Sequence, residues 1–247
     1  MTPEIEQAAD LIRESQYMVA FTGAGSSTRS GIPDFRSPGS GLWENTDPLL
    51  VASIWSFRMD PRPFYEWVRP LADHMLAATP NPAHRALARL EESGHLKAVI
   101  TQNIDDLHQK AGSGRVLELH GHLREATCMH CYTVVEALPR MQHLTATGEV
   151  PHCQCGGVLK PNVIFFGEQL PIRVYNEATE EARRCDLMLV AGSSLEVTPA
   201  ADIPPMAVDH GAKAIVINLV PIPFDGRATV VIHGDMAEVL PRIVDAL

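Results

Sequence analysis

The chain reads YMVAFTGAGSST from Tyr17 to Thr28. Its first six residues form an apolar run that is typical of a strand buried on both faces, and the run ends at a glycine. Gly23 and Gly25 allow the backbone to approach a ligand closely, and backbone N–H groups at the start of a following helix can bind a pyrophosphate. This stretch therefore predicts a buried strand followed by a glycine turn that is compatible with a nucleotide.

The glycine turn is weak evidence by itself, because a tight turn between a strand and a helix needs the same residues. The dehydrogenase fingerprint requires a third glycine at the sixth position, where this chain has Thr28. It also requires an acidic residue at the end of a second strand about 20 residues later, and residues 38–44 lack the pattern of a strand. The sequence therefore disfavours an ordinary hydride-transfer domain.

Apolar strands alternate with amphipathic helices along much of the chain. We predict further strands at residues 97–101, 116–119, 187–191, 213–219 and 229–232. We predict helices at residues 4–16, 82–93, 171–183 and 199–209, and a last one from Asp235 that Pro241 should kink or split. This order is typical of an α/β fold, with a Rossmann-like parallel sheet covered by helices on both faces.

Two segments interrupt this pattern. Residues 37–80 are rich in prolines and aromatic side chains, which indicates loops and a small helical lid. Residues 127–157 contain four cysteines and predict a small zinc-ribbon module. The rest of the chain, residues 1–36, 81–126 and 158–247, would then form one discontinuous Rossmann-like domain.

The cysteines occur as a C-x2-C pair and a C-x-C pair that are 21 residues apart: Cys128, Cys131, Cys153 and Cys155. Four thiolates suit one structural zinc ion with no open position for catalysis. The second pair is one residue shorter than the usual knuckle, so His130 and His152 are alternative ligands. A disulfide is the other interpretation, and it is disfavoured in the cytoplasm. Cys185 is expected to be a small buried hydrophobic residue.

The composition limits the partners of the chain. Thirty Asp and Glu against 20 Lys and Arg give a formal net charge of -10, which argues against binding the phosphate backbone of nucleic acids. This charge would suit a basic peptide, although a solvated acidic surface is the commoner meaning. The first residues are acidic, without the features of a signal peptide, and no apolar run is long enough to span a membrane. We expect a cytoplasmic monomer with no membrane partner.

Six blocks of sequence resemble, in order, those of the sirtuin family of NAD-dependent protein deacylases. They are GAGSSTRSGIPDFR at residues 23–36, TQNID at 101–105, HG at 120–121, PNVIFFGE at 161–168, GSSLEV at 192–197 and NL at 218–219. One block could be a coincidence, but six in the family order are hard to explain otherwise. All follow predicted strands, where open α/β sheets bind their ligands.

The resemblance implies an NAD site that extends over most of the chain, with residues 37–80 forming a cofactor-binding loop and the lid. Its NAD-binding residues would be Gly23, Ala24, Gly25, Thr28, Asp34, Phe35, Arg36, Gln102, Asn103, Ile104, Asp105, Gly192, Ser193, Ser194, Asn218, Leu219, Asp235 and Met236. Residues 102–105 would hold nicotinamide, with Asp105 accepting from its carboxamide, and Arg36 can pair with phosphate. A turn or a helix N-cap is the alternative for Asn218 and Asp235.

Two residues are predicted to be catalytic. His120 is the candidate general base, because an imidazole with a pKa near 6.5 can remove a proton at neutral pH. The resemblance adds Asn103. Asp106 and His108 lie outside the family motif, and we expect them at the surface. The implied reaction transfers the acetyl group of acetyl-lysine to ADP-ribose, releasing nicotinamide and O-acetyl-ADP-ribose.

The resemblance also implies a site for acetylated lysine peptides, whose backbone would add a strand to the protein. Its substrate-binding residues would be Val163, Ile164, Phe166, Gly167, Glu196 and Val197. Phe165 is expected to pack in the core. Family members that remove acidic acyl groups carry a Tyr-x-x-Arg pair, whereas Val68 follows Tyr65 at that spacing here and Arg69 is one residue late. One residue is roughly 100° around a helix, so the sequence favours deacetylation.

Two other functions remain open at this point. A mono-ADP-ribosyltransferase would use the same NAD site, and the sequence does not exclude it. A non-enzymatic NAD sensor or zinc-ribbon interaction protein would be signalled by the loss of His120 or Asp105, and both residues are present.

Overall fold

The computed structural model describes residues 2–34, 41–43 and 46–247. Its strands, in chain order, are β1 (Met18–Thr22), β2 (Leu96–Thr101), β3 (Val116–Glu118), β4 (Gly121–Cys128), β5 (Val134–Glu136), β6 (Leu159–Val163), β7 (Leu187–Ala191), β8 (Lys213–Asn218) and β9 (Val230–His233). Six of them form a parallel sheet in the order β3-β2-β1-β7-β8-β9. The other three form a small antiparallel sheet, β5-β4-β6.

The α-helices of the described residues are α1 (Pro3–Glu14), α2 (Pro48–Val51), α3 (Ile54–Met59), α4 (Arg62–Ala77), α5 (Pro82–Glu92), α6 (Leu107–Lys110), α7 (Leu138–Thr147), α8 (Ile172–Arg184), α9 (Ile203–Asp209) and α10 (Met236–Val244). No helix in these residues combines the length and the hydropathy that a membrane span requires.

Two apolar layers cover the faces of the parallel sheet. All five residues of β1 are buried, and successive side chains of a strand point to opposite faces. Met18 and Ala20 belong to the core formed with α1, α5 and α10, whereas Val19 and Phe21 belong to the core formed with α8 and α9. This is the predicted doubly covered α/β sheet, so the expected fold class is confirmed.

The predicted helices and strands of this domain lie close to their observed positions. Asn81 begins α5 as expected, since its side-chain oxygen accepts from the N–H of Ala83 at 2.9 Å. The expectation that Pro241 could split the last helix is wrong, because α10 continues through it. The proline removes one backbone hydrogen bond, and the helix keeps a buried face with Val239 and Leu240 before it and Ile243 after it.

The small sheet uses more of the chain than the cysteine-containing segment. Strand β4 begins at Gly121 and β6 ends at Val163, so both extend beyond residues 127–157. Helix α7, between β5 and β6, was not predicted. The division into domains therefore stays a prediction. Of the four cysteines, only Cys128 lies in a strand, at the end of β4.

The described part of the lid contains α2, α3 and α4. Helix α4 has 16 residues, so it is longer than the small helices expected there. The lid and the small sheet share one apolar cluster, the lid core: Ile54, Phe57, Phe64, Tyr65, Val68, Leu71, Ala72, Met141, Leu144, Val163 and Phe165. The expected packing of Phe165 is confirmed.

Candidate functional site

The loops after β1 and β7 are in contact at the carboxyl edge of the parallel sheet. The N–H of Gly25 donates to the carbonyl of Gly192 at 2.9 Å. A Cβ atom at Gly25 would lie 2.9 Å from the Gly192 Cα, and Gly192 has a φ of +63°. Larger residues would separate these loops, so the predicted glycine turn is required by this close approach.

Asn103 ties the loop after β2 to the loop after β1. Its side-chain NH2 group lies 3.1 Å from the carbonyl oxygen of Gly23, 2.9 Å from Ser26 Oγ and 3.0 Å from Ser27 Oγ. The backbone N–H of Asn103 also donates to Thr101 Oγ1 at 3.1 Å. These contacts make it a positioning residue for the glycine turn, while a direct catalytic role remains a prediction.

Asp105 lies beside Asn103 and is 8% exposed. Its Oδ2 accepts from Ser27 Oγ at 2.6 Å, and its Oδ1 accepts from the backbone N–H of Leu107 at 2.9 Å. A carboxylate offers about four acceptor positions, so Asp105 keeps capacity for a ligand amide. Two protein donors already fix its orientation.

His120 lies just after β3 and is half-buried. Its Nδ1 lies 3.1 Å from the carbonyl oxygen of Gln102, and because a carbonyl can only accept, Nδ1 carries the proton of the neutral ring. Nε2 is then the basic atom. Burial lowers the pKa of His120 below its usual 6.5, and the hydrogen bond to Gln102 opposes that shift.

Gln102 connects this histidine to the loop after β7. Its side-chain Nε2 donates to Ser193 Oγ at 2.9 Å, while its carbonyl oxygen accepts from His120. The loops after β1, β2 and β7 and the candidate base therefore meet at one edge. Ile104 and Ser194, in the same loops, are half-buried.

The predicted adenosine end lies around the ends of β8 and β9. Asn218 donates to the carbonyl of Val220 at 2.8 Å, and Leu219 is 65% exposed. Asp235 accepts from the N–H of Ala237 as the N-cap of α10 and also pairs with Arg29. The capping interpretation of Asp235 is therefore confirmed, and ribose binding by its carboxylate stays a prediction. Met236 Sδ would lie 2.7 Å from a Cβ atom at Gly192, so this end adjoins the β7 loop.

The remaining residues of the first block are placed only in part. Ala24 lies in a 3-10 turn, and Thr28 Oγ1 donates to the carbonyl of Gly25 at 3.2 Å. The carbonyl of Asp34 accepts from the N–H of Leu42 at 3.0 Å. Phe35 and Arg36 lie outside the described residues, so their predicted contacts with NAD stay predictions.

The expectation that His108 lies at the surface is wrong. It is 1% exposed, and its Nε2 is 2.9 Å from the hydroxyl of Thr22, which in turn donates to the hydroxyl of Thr101. Its ring lies 4.9 Å from that of His84, which is fully buried. Burial lowers the pKa of His84 and lowers that of His108 to about 3, and both rings are therefore neutral. Asp106, by contrast, is half-buried and pairs with Arg124.

The predicted substrate-binding segment adjoins the candidate base. The N–H of Ile164 donates to the carbonyl of His120 at 2.8 Å. Phe166 exchanges backbone hydrogen bonds with the lid, donating to Ala52 at 2.9 Å and accepting from Ile54 at 3.0 Å. Gly167 is exposed, as is Glu196 in the loop after β7, and Val197 is half-buried. The structure thus places the 163–167 segment between His120 and the lid.

The four predicted metal ligands converge. The sulfur atoms of Cys128, Cys131, Cys153 and Cys155 all lie within 4.8 Å of one another. Thiolates at about 2.3 Å from a tetrahedral zinc are about 3.8 Å apart. Here the sulfurs of Cys128 and Cys155 are 3.5 Å apart, and those of Cys131 and Cys153 are 3.7 Å apart. The short C-x-C pair therefore reaches the site, and His130 and His152 are not members of the cluster. The residues present fit a structural zinc ion.

Comparison with known proteins identifies the family. The model of the Sir2 family matches residues 23–199, which is more than half of the chain. The chain belongs to the Sir2 family. This is the sirtuin family that the six sequence blocks resemble, so the expected membership is confirmed.

Close relatives of this Sir2-family chain match nearly its whole length. The protein named NAD-dependent protein deacylase 2 of Archaeoglobus fulgidus is 48% identical over 247 residues, which is 99% of this chain and 96% of the relative. The NAD-dependent protein deacetylase of Sulfurisphaera tokodaii is 45% identical, covering 98% and 95% of the two chains. A solved structure from work on the mechanism and regulation of Sir2 enzymes has a TM-score of 0.94 at 48% identity, covering 100% of this chain and 98% of that one.

Proposed function

We propose that this Sir2-family chain is an NAD-dependent protein lysine deacetylase. The observation that carries the proposal is the junction at His120. Its ring bonds to Gln102 in the predicted nicotinamide pocket, and its carbonyl bonds to Ile164 in the predicted peptide segment. One residue therefore lies between the site for the cofactor and the site for the acylated lysine. One of the two relatives is named an NAD-dependent deacetylase and the other an NAD-dependent deacylase, which supports this activity.

NAD, when bound, supplies the ribose carbon that the acetyl-lysine carbonyl oxygen attacks as nicotinamide leaves. The residues of the chain then bind, orient and move a proton. Asp105 is already oriented by Ser27 and Leu107 to accept from a carboxamide. The neutral His120 takes a proton from a ribose hydroxyl through Nε2, because Nδ1 is committed to Gln102. The deprotonated ribose oxygen then attacks the acyl carbon, and one water molecule releases the free lysine. The other products are nicotinamide and O-acetyl-ADP-ribose.

The preference for an acetyl group is supported by the partners of Tyr65 and Arg69. The hydroxyl of Tyr65 donates to the carbonyl of Leu159, and the side chain is 2% exposed. The guanidinium of Arg69 donates twice to the carbonyl of Thr145, at 3.1 and 2.9 Å. The Tyr65 hydroxyl and two nitrogens of Arg69 are thus bound by backbone carbonyls of the protein, which disfavours their use in binding an acidic acyl group.

We further propose the partners and the setting of the enzyme. An acetylated lysine peptide would extend along residues 163–167 as an added strand. The formal net charge of -10 supports a basic peptide rather than a nucleic acid. The proposed enzyme acts in the cytoplasm as a monomer, with zinc held by the four cysteines for stability rather than catalysis.

The test is an assay of purified protein with NAD and an acetyl-lysine peptide. We expect one nicotinamide and one O-acetyl-ADP-ribose for each lysine freed, and slower turnover of a succinylated peptide. His120→Ala should abolish the reaction. The matched control is His122→Ala, two residues later in the chain, which should keep the activity. Covalent ADP-ribose on a target protein without lysine release would instead support the ADP-ribosyltransferase. An inactive wild-type protein that binds NAD would contradict both enzymatic functions.

A further inference from the structure

Lys160 is a lysine held in the interior of the protein. It lies on β6 and is 8% exposed. Its Nζ contacts Glu168 at 2.9 Å, the carbonyl of Val163 at 2.7 Å and the carbonyl of Pro161 at 3.3 Å. It also lies 4.3 Å from the centre of the Phe165 ring. All these contacts fall on residues 161–168.

Glu168 closes the turn that Lys160 binds. Its Oε2 accepts from the backbone N–H of Phe165 at 2.8 Å, while its own N–H donates to the Phe165 carbonyl at 3.0 Å. Gly167 between them has a φ of +86°, and the ring of Trp55 lies against it. The ion pair and these two hydrogen bonds therefore join β6 to the end of the turn at residue 168.

Residues 164–166 are also held by contacts with His120, the lid and the lid core. The N–H of Ile164 is held by the carbonyl of His120, and Phe166 is held by the lid. The ring of Phe165 packs against Phe57 and Phe64 at 5.3 and 4.8 Å between centroids. The Lys160–Glu168 pair holds the remaining side, where β6 leaves the small sheet.

The side chain of Lys160 is 10% exposed and that of Glu168 is 24% exposed. An ion pair so largely removed from water rarely gives much net stability, because the cost of desolvating the charges offsets their attraction. Burial lowers the pKa of Lys160, and the hydrogen bond to Glu168 and its charge oppose that shift. Stability alone is thus a poor explanation for a charged pair at this position. Its clearest effect is geometric, since it fixes two points of the candidate peptide-binding segment.

We infer that Lys160 and Glu168 are positioning residues for the peptide substrate, and that their ion pair holds residues 163–168, the end of β6 and the turn after it, in the shape that the peptide contacts. The inference rests on the proposed deacetylase function. A segment held in its binding shape loses little entropy when the peptide binds. The pair therefore acts on the peptide and leaves the binding of NAD unchanged.

The test compares Lys160→Met, Glu168→Gln and the double variant with wild type in steady-state deacetylation, varying peptide and NAD separately. A single variant leaves one buried charge without its partner and can lose stability. The double variant removes both charges, and thermal melting determines whether it keeps the fold. Arg115→Met is the matched control, because it breaks the partly buried ion pairs of Arg115 with Glu177 (3.0 Å) and Glu181 (2.8 Å) of α8, away from the peptide segment.

We expect the double variant to raise the peptide KM about tenfold or more, as for the loss of one hydrogen bond to a charged group. The NAD KM and kcat should stay close to wild type, and the control should keep the wild-type peptide KM. A wild-type peptide KM in the folded double variant would overturn the inference. Equal changes in the peptide KM, the NAD KM and kcat would also overturn it, as would a raised peptide KM in the Arg115→Met control. An inactive wild-type protein would contradict the proposed function instead.

Discussion

His120 holds a neutral ring whose basic atom is set by one hydrogen bond. Burial places its pKa below 6.5, so the ring is already unprotonated near neutral pH. We expect kcat/KM to fall only as the pH drops below 6.5, because protonation of Nε2 removes the base. The measurement is a pH profile of kcat/KM for the peptide, with His122→Ala as control. An acidic limb with a midpoint above 6.5 would show that another group is the base.

The sequence predicted which residues gather at this site but not how they bond. Asn103 and Asp105 were expected to contact NAD, yet their nearest partners are Ser26 and Ser27 of the first loop. These partners lie far away along the chain, so no local pattern shows them. The burial of His108 was missed for the same reason, because its partner Thr22 precedes it by 86 residues.

Among the elements, the small sheet has little apolar core of its own besides the lid core that it shares. Its own apolar cluster contains only Ala126, Cys128, Ala137 and Leu159 as buried members, with two partly buried neighbours. A small domain with little apolar core often needs a metal in order to fold. We therefore expect zinc bound by the four cysteines to stabilise the sheet that carries β6 and the proposed peptide segment.

Removal of zinc by a chelator should unfold the small sheet and stop deacetylation while the parallel sheet persists. Hydrogen exchange measures this directly, as a loss of protection in β4, β5 and β6 but not in β1 or β7. Cys155→Ser should lower the zinc content below one ion per chain, and Cys185→Ala, which is outside the cluster, should not. Unchanged protection in a zinc-free protein would contradict this role.

The strands were predictable because each is a short apolar run with clear ends. Helix α4 was harder to predict, since Pro61 precedes it, Pro63 lies in its first turn and Pro70 lies inside it. Its buried positions 64, 65, 68, 71 and 72 nevertheless have helical spacing. Helix α7 carries a proline near its start and Gly148 at its end. Both segments therefore carry sequence features of a helix. The prolines and cysteines nearby made these features hard to recognise.

For the whole molecule, two buried histidines make the free energy of unfolding depend on pH. Both have folded-state pKa values below 6.5, that of His108 being about 3. The unfolded chain therefore binds more protons below pH 6.5, so stability is complete above this pH and is lost as the pH falls towards 3. Each histidine contributes a slope of up to about 1.4 kcal/mol per pH unit.

Urea unfolding at several pH values between 7 and 4 measures this slope. Carboxylates contribute to it as well, so the informative quantity is the difference between wild type and His108→Gln. We expect the variant to be less stable at neutral pH, because its fit to Thr22 changes, and to have a shallower dependence on pH. His210→Gln replaces an exposed histidine and should leave the slope unchanged. Parallel slopes for His108→Gln and wild type would show that His108 is not a source of the dependence.

The lid core can form only late during synthesis of the chain, because its residues lie far apart in the sequence. Phe57 and Phe64 leave the ribosome about a hundred residues before Phe165, the ring against which both pack. Until then two aromatic side chains of the nascent chain lack a partner that the finished protein supplies. Chaperones recognise such exposed apolar surface. The dependence of this enzyme on folding assistance in the cell should therefore be concentrated in the interval between α4 and β6.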